Sequence, residues 1–163
     1  MSADDSAYRL TYATMFDPPA SLHRRFDEAL VRVRQNLGGD FPMTIGGQAR
    51  AGSSGFELRS PIDHQLLLGR FAAGTAVDAA DAVAAARAAA PGWAAMPYGQ
   101  RIDLLRTAAA LIEERVFELA AAVALEVGKN RMEAIGEVQE TADLIRWYCD
   151  QMSEHAGFDR RLP

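Results

Sequence analysis

The sequence predicts an α+β fold that is mostly helical and carries a small antiparallel β-meander. Two changes of apolar period predict it, from a helical pattern to an alternating one near residue 41, and back to a helical one near residue 75. The third observation is composition, because 163 residues at 49% hydrophobic and 24% charged can bury one ordinary core. We divide the chain into residues 1–40 (leading segment and helix), 41–74 (β-meander), 75–152 (helical region) and 153–163 (connector).

The leading helix is predicted from a turn and a capping residue. "FDPPA" is turn-prone, and Ser21 after it is a good N-cap. Apolar residues then recur every three or four positions until Gly38-Gly39 ends the pattern. They are Leu22, Phe26, Ala29, Leu30, Val33 and Leu37. This spacing predicts one amphipathic helix with its charged side in water.

Three short strands are predicted between residues 41 and 74. In "FPMTIGG" the residues Phe41, Met43 and Ile45 alternate as in one half-buried strand, and "GFELRSP" alternates again after the turn "AGSSG". "LLLGRFAAG" is apolar enough to be covered on both faces. A meander of this size cannot stand alone, so we expect it to pack on further structure.

The helical region opens at Thr75 and Asp78, which suit a capped start. We expect Pro91-Gly92 to interrupt this first helix and "EERVFE" to mark a bend in the next one. The stripe predicted to pack against a neighbouring helix comprises Ile102, Leu105, Ala109, Ile112, Val116, Leu119 and Val123. A last helix is predicted from Arg131 to about Met152. It presents Val138, Ala142, Ile145, Cys149 and Met152 on one side.

Charge and composition exclude several classes of function. A net charge of −5 argues against a nucleic-acid partner, since such proteins need clustered positive charge. No apolar run reaches the roughly 20 residues of a membrane span, and "MSADDSAYRLTY" has no features of a secretory signal. A single cysteine cannot form an internal disulfide. These features together predict a cytoplasmic protein without a membrane partner.

The pair Gly128-Lys129 in "LEVGKN" raises the question of a phosphate-binding loop. That loop needs an earlier glycine where Val123 stands, and Ser or Thr where Asn130 stands. It also follows a strand, whereas this pair follows a predicted helix. Gly128 is therefore interpreted as a left-handed C-cap, with Lys129 favourable near the negative end of the helix.

The remaining reactive residue types give no catalytic or metal site. Cys149 lies on the apolar side of the last helix and is interpreted as a buried structural cysteine. His23, His64 and His155 lie far apart without metal-ligand spacing. We therefore predict no metal and no catalytic residue in this chain.

An acidic stripe lies on the last helix. Glu133, Glu137 and Glu140 are spaced by four and three residues, with Leu144 and Trp147 following on the same side. Such a stripe is typical of a solvated face. A carboxylate next to an aromatic ring could instead recognise an ammonium group, and the residues alone leave both interpretations open.

The order of these segments resembles the N-terminal part of the aldehyde dehydrogenase superfamily. The similarity follows the "IGG" strand, the "SP" before a "GR" strand, "LIEERVFELA" and the "LEVGK" end, over roughly residues 41 to 152. "RFDEALVRVRQNLGGDFPMTIGG" and "EVQETADLIRWYCDQM" are similar to the 1-pyrroline-5-carboxylate dehydrogenase group. The implied fold is the leading portion of the family's α/β fold, without its Rossmann-type sheet.

The resemblance also implies a reaction. In the family a cysteine thiolate attacks an aldehyde, hydride passes to NAD or NADP, and a glutamate-activated water releases the acid. In this group glutamate semialdehyde becomes glutamate, a late step of proline breakdown. The family's nucleophile, general base and cofactor-binding motifs follow the position of Pro163, so we expect this chain to end before the cofactor-binding sheet and to bind no cofactor alone.

One site residue carries over from the group. Glu140, the second glutamate of "EVQE", matches a position whose carboxylate contacts the substrate's amino group. The resemblance implies a partner, the remainder of a dehydrogenase in the same or a separate chain, and a homo-oligomer in the complete enzyme. We expect the chain to be inactive alone. The alternative is a non-catalytic regulatory or interaction module that binds an intact dehydrogenase.

Overall fold

The computed structural model describes residues 17–159. The first part of the predicted leading segment, residues 1–16, and the last four residues of the predicted connector lie outside it. The helices are α1 (Ala20–Gln35), α2 (Ala76–Ala95), α3 (Tyr98–Glu114), α4 (Val116–Val127) and α5 (Arg131–Glu154), followed by a short helical turn at Ala156–Phe158. The strands are β1 (Gly39–Phe41), β2 (Met43–Ile45), β3 (Gln48–Arg50), β4 (Ser54–Arg59) and β5 (Leu67–Ala73).

The described chain divides into two compact units. One comprises residues 17–35 and 98–159, which hold α1, α3, α4 and α5. The other comprises residues 36–97, which hold the strands and α2. The mostly helical fold with small sheets confirms the predicted class.

The core of the helical unit is built where α1, α4 and α5 meet. Its buried residues are Leu22, Phe26, Ala29, Ala120, Ala121, Ala134, Ile135 and Val138. The predicted apolar stripe of α1 supplies the first three, with Leu30 and Val33 packed against them. Small alanines at the helix contacts let the backbones approach closely, which suits these α-helices to pack side by side.

The start of α1 differs from the prediction. Helix begins at Ala20, so Ser21 lies inside the first turn rather than at the N-cap. The backbone N–H of Leu22 donates to the carbonyl of Pro19 over 3.0 Å. Proline has no backbone N–H that needs a partner, and its φ is compatible with a helix. Pro19 can therefore begin the first turn without a capping side chain.

Two predicted helix boundaries in the helical unit are confirmed. Helix α3 ends at Glu114 and α4 begins at Val116, with Arg115 between them at non-helical angles, as "EERVFE" predicted. Helix α4 ends at Gly128, whose φ of 78° is left-handed and whose N–H donates to Ala124 over 3.0 Å. The predicted packing stripe is correct at Ile102 and Ala109, whereas Leu105 is 43% exposed.

Helix α2 corrects the prediction that Pro91-Gly92 breaks it. The helix runs without interruption to Ala95. Pro91 removes one backbone hydrogen bond, but it lies on an exposed face where water can solvate the freed carbonyl. The start is as predicted, because Thr75 and Asp78 form a reciprocal capping box.

The strands do not form a simple antiparallel meander. Strand β1 pairs in parallel with β5, β4 pairs with the other side of β5 antiparallel, and β2 and β3 form a separate hairpin. The predicted single strand over residues 41–45 is divided at Pro42, which has no N–H for a ladder. The chain can therefore turn into a hairpin before returning to the sheet.

The three-stranded sheet has an aromatic ladder across it. Phe71 of β5 stacks on Phe41 at 5.0 Å and on Phe56 at 5.8 Å between ring centroids. Strand β5 was predicted to be covered on both faces, but only Leu68 and Gly69 are buried and Arg70 is exposed. The charged Arg70 instead lies beside Glu57 of β4, 3.4 Å away, where it can remain in water.

Candidate functional site

The candidate site is the exposed face of α5, which carries the three glutamates of the acidic stripe. The opposite side of the helix faces the core, where Ala134, Val138, Ala142 and Cys149 are buried. Residues three, four and seven apart share a helix face, so Glu133, Glu137 and Glu140 point away from the core together.

The first two glutamates have local structural partners. The backbone N–H of Glu133 donates to Asn130 Oδ1 over 3.1 Å, and its carboxylate accepts from the Asn130 N–H over 3.4 Å. This reciprocal pair caps the helix. One turn later, Lys129 Nζ lies 2.7 Å from Glu137 Oε1 and compensates its charge.

Glu140 differs from both. Its side chain is exposed, and its carboxylate forms no hydrogen bond or ion pair with any residue between 17 and 159. Among residues 17–159, the carboxylates of Glu133 and Glu137 each have a partner, whereas that of Glu140 has none. A carboxylate in this state can accept hydrogen bonds from an ammonium group.

An apolar patch follows Glu140 on the same side of α5. Leu144, Trp147 and Tyr148 are each about half exposed or more, and the two aromatic rings meet edge to face at 5.0 Å. The predicted neighbourhood of Glu140 is therefore correct for Leu144 and Trp147. The combination offers a charge for a cationic group and an apolar surface for the carbon chain of a small ligand.

A polar cluster beside this face was not anticipated from the sequence. Glu113 of α3 accepts from both terminal nitrogens of Arg146, with Nη2–Oε2 at 2.6 Å, and from Gln139 Nε2 at 3.3 Å. Gln139 also donates to Asp143 over 3.3 Å. The i, i+4, i+7 spacing of Gln139, Asp143 and Arg146 was visible in the sequence. Glu113, the common partner of Gln139 and Arg146, lies 26 or more residues earlier, so its contacts follow only from the packing.

The cysteine has the environment predicted for a structural residue. Cys149 is 1% exposed, and its sulfur lies 3.9 Å from the carbonyl oxygen of Ile102. A buried thiol facing a neighbouring helix cannot be reached by an aldehyde. Its position agrees with the core role and not with a nucleophile.

The histidines lie apart, as their spacing predicted. Arg131 donates to Nδ1 of His23 over 2.7 Å, His64 provides a backbone carbonyl to Arg59, and the ring of His155 lies 5.0 Å from that of Phe158. Within residues 17–159 no three His, Cys, Asp or Glu side chains are grouped as metal ligands.

The sequence matches known proteins over most of its length. The profile of the Aldehyde dehydrogenase family matches residues 48–162. A 1-pyrroline-5-carboxylate dehydrogenase of Staphylococcus epidermidis is 32% identical over 132 residues, which is 81% of this chain and 26% of that protein. A homologue of the same name from Geobacillus is 30% identical over 129 residues, 79% of this chain and 25% of that protein.

Solved structures agree with these sequence matches. A 1-pyrroline-5-carboxylate dehydrogenase from Thermus with bound NAD superposes with a TM-score of 0.83 at 30% identity, covering 96% of this chain and 30% of that one. The Mycobacterium tuberculosis enzyme bound with NAD and cobalamin gives a TM-score of 0.80 at 27% identity, covering 91% and 28%. The chain thus spans about a quarter to a third of the length of these relatives. With a family profile over more than two thirds of its residues, the chain belongs to the aldehyde dehydrogenase family.

Proposed function

We propose that this chain is the leading part of an NAD(P)-dependent 1-pyrroline-5-carboxylate dehydrogenase, which oxidises glutamate semialdehyde to glutamate. The similarity to enzymes of that name over about four fifths of the chain supports the assignment. The observation that carries it is the state of Glu140, which matches by resemblance the position that contacts the substrate's amino group in that group, and whose exposed carboxylate has no partner among residues 17–159. NAD is the cofactor in the Thermus and Mycobacterium structures, and we extend it to the complete enzyme only.

The role of Glu140 is to bind the substrate's ammonium group. Glu133 and Glu137 cannot take this role without giving up the helix cap or the Lys129 pair. The ammonium would be held at Glu140 while the aldehyde end reaches the thiolate supplied by the rest of the enzyme. The attacking thiolate is assigned to the rest of the enzyme, because Cys149, the single cysteine of this sequence, is buried.

The test compares two aldehydes in the complete dehydrogenase. Glu140→Gln should lower kcat/KM for glutamate semialdehyde about 10- to 100-fold, which is the effect of losing one hydrogen bond to a charged group. Glutaric semialdehyde, which lacks the α-amino group, should be oxidised at an unchanged rate. The matched control is Glu137→Gln, which changes a neighbouring carboxylate that already has a partner. Equal losses on both aldehydes would contradict a role in ammonium binding.

A second candidate is a non-catalytic module that binds and regulates an intact dehydrogenase. The observation that favours it is α2, an apolar helix of 20 residues that buries none of them within its own unit. A helix that is apolar all round is normally covered by further protein. Retained oxidation of glutamate semialdehyde by a dehydrogenase lacking these residues would favour this second function over the first.

A further inference from the structure

We infer that Glu113, Gln139 and Arg146 form a clamp that sets the rotation of α5 about its axis and thereby positions Glu140. This inference rests on the proposed function, because it concerns how accurately Glu140 meets the substrate's ammonium group. The three residues are positioning residues, since they contact one another and not the ligand.

The geometry of the clamp suits this task. Arg146 donates both terminal nitrogens to the two oxygens of Glu113, an arrangement that fixes direction as well as distance. Gln139, the residue before Glu140, donates to the same carboxylate over 3.3 Å. Glu113 therefore holds α5 at two points that are two turns apart and bracket Glu140 along the helix.

The apolar contact between α3 and α5 does not define the rotation by itself. The buried residues of α3 are Ile102 and Ala109, and those of α5 beyond Glu140 are Ala142 and Cys149, whose sulfur lies 3.9 Å from the Ile102 carbonyl oxygen. Three of these four side chains are small, so the two surfaces have few projections to interlock. A directional polar contact beside such a smooth surface favours one rotation of α5 about its axis over neighbouring rotations.

A small rotation is enough to matter for binding. Side-chain ends lie about 5–6 Å from a helix axis, so a rotation of about 10° moves the Glu140 carboxylate by about 1 Å. Displacements of this size can cost an enzyme about 100-fold in rate. The clamp is partly exposed, with 35% and 37% of the Arg146 and Glu113 side chains accessible. We therefore expect the clamp to affect the position of Glu140 more than the free energy of unfolding.

The test uses the complete dehydrogenase and the ratio of kcat/KM for glutamate semialdehyde to that for glutaric semialdehyde. Arg146→Met should lower this ratio about tenfold, since one aldehyde depends on Glu140 and the other does not. Glu113→Gln is a milder variant that keeps the shape and should lower the ratio less. The exchange E113R/R146E rebuilds the pair with reversed charges and should recover most of the ratio.

The control is Asp150→Asn. Asp150 pairs with Arg106 at 2.8 Å and also joins α5 to α3, but it lies ten residues beyond Glu140 on an exposed surface. Its loss should leave the ratio unchanged. If both aldehydes slow equally in Arg146→Met, the pair is only structural and the inference is overturned.

The inference and the proposed function can fail separately. If Glu140→Gln collapses the ratio while Arg146→Met and Glu113→Gln leave it intact, the clamp is rejected and the function stands. If Glu140→Gln leaves the ratio intact, the function is rejected and the inference with it.

Discussion

At the residue scale, the three glutamates of the acidic stripe on α5 differ in their hydrogen-bond and ion-pair partners. The three have the same chemistry and the same helix face, and only their neighbours separate them. Asn130 is hydrogen-bonded to Glu133, and Lys129 forms an ion pair with Glu137. Glu140 has no partner among residues 17–159. Lys129 and Asn130 thus pair with the first two glutamates of the stripe, and among residues 17–159 the third has no such partner.

Gly128 gives a stability prediction at this scale. Its φ of 78° lies in the left-handed region, which costs other residues about 1–2 kcal/mol. Gly128→Ala should lower the free energy of unfolding by about 1 kcal/mol in urea titrations. Gly99→Ala is the matched control, because Gly99 lies in α3, where an added Cβ would meet nothing within 4 Å. Gly99→Ala should be neutral or stabilising, and equal losses in the two variants would contradict the left-handed cap.

At the element scale, the start of α2 depends on one carboxylate. Asp78 accepts from the Thr75 hydroxyl at 2.7 Å and from the Thr75 N–H at 2.8 Å. It also accepts from Arg50 Nη1 at 3.0 Å, and Arg50 reaches Asp81 at 2.6 Å. The Thr75 side chain first, then its N–H and Arg50, lower the pKa of Asp78 to about 2.

The lowered pKa predicts a pH dependence with a definite sign. A carboxylate whose pKa is lower in the folded state stabilises the fold above its unfolded pKa, near 3.8 for Asp, and loses this contribution as the pH falls through about 2. Asp78→Asn should therefore unfold at lower urea than the unchanged chain at pH 7, and the two should converge toward pH 2. Asp81→Asn, which leaves the capping box intact, should have a smaller effect at pH 7. A constant difference from pH 7 to pH 2 would contradict this role.

Local sequence signals predicted the elements better than their pairing. The Thr75–Asp78 box, the break at Arg115 and the Gly128 cap each depend on residues close in the chain, so they could be predicted. The parallel pairing of β1 with β5 joins residues about 30 positions apart and has no local signal. Pro91 was wrongly interpreted as a break because its effect depends on whether its face is open to water.

The candidate site, like the fold, could be predicted only where it depends on local sequence signals. The acidic stripe and its apolar continuation follow from helical spacing. The substrate-binding role of Glu140 was inferred from the resemblance and not from chemistry visible in the residues. The Glu113–Arg146 pair could not be predicted, since it depends on how α3 and α5 pack.

At the scale of the whole molecule, large apolar side chains are exposed on α2 and on α5. Val77, Val83 and Trp93 on α2 are about half exposed or more, as are Trp147 and Tyr148 on α5. No helix among residues 17–159 is long and apolar enough to cross a membrane. For the exposed apolar surfaces of α2 and α5 we propose a protein partner, the remainder of a dehydrogenase.

The isolated 163-residue chain should accordingly self-associate and should not reduce NAD with any aldehyde. Sedimentation velocity over a range of concentrations should show species larger than the monomer, because exposed apolar surface pairs when nothing else covers it. A monodisperse monomer with a sharp cooperative melt would contradict the proposal that further protein normally covers these apolar surfaces. Reduction of NAD by the pure chain would contradict the proposal that the rest of the enzyme supplies the catalytic groups.

The most direct measurement is native mass spectrometry of these residues purified from their own host without crosslinking, with an activity assay on the same sample. We expect them to be part of, or to travel with, a polypeptide of dehydrogenase size, and the sample to oxidise glutamate semialdehyde with NAD or NADP. A chain of 163 residues that migrates alone and copurifies with no such activity would contradict the account.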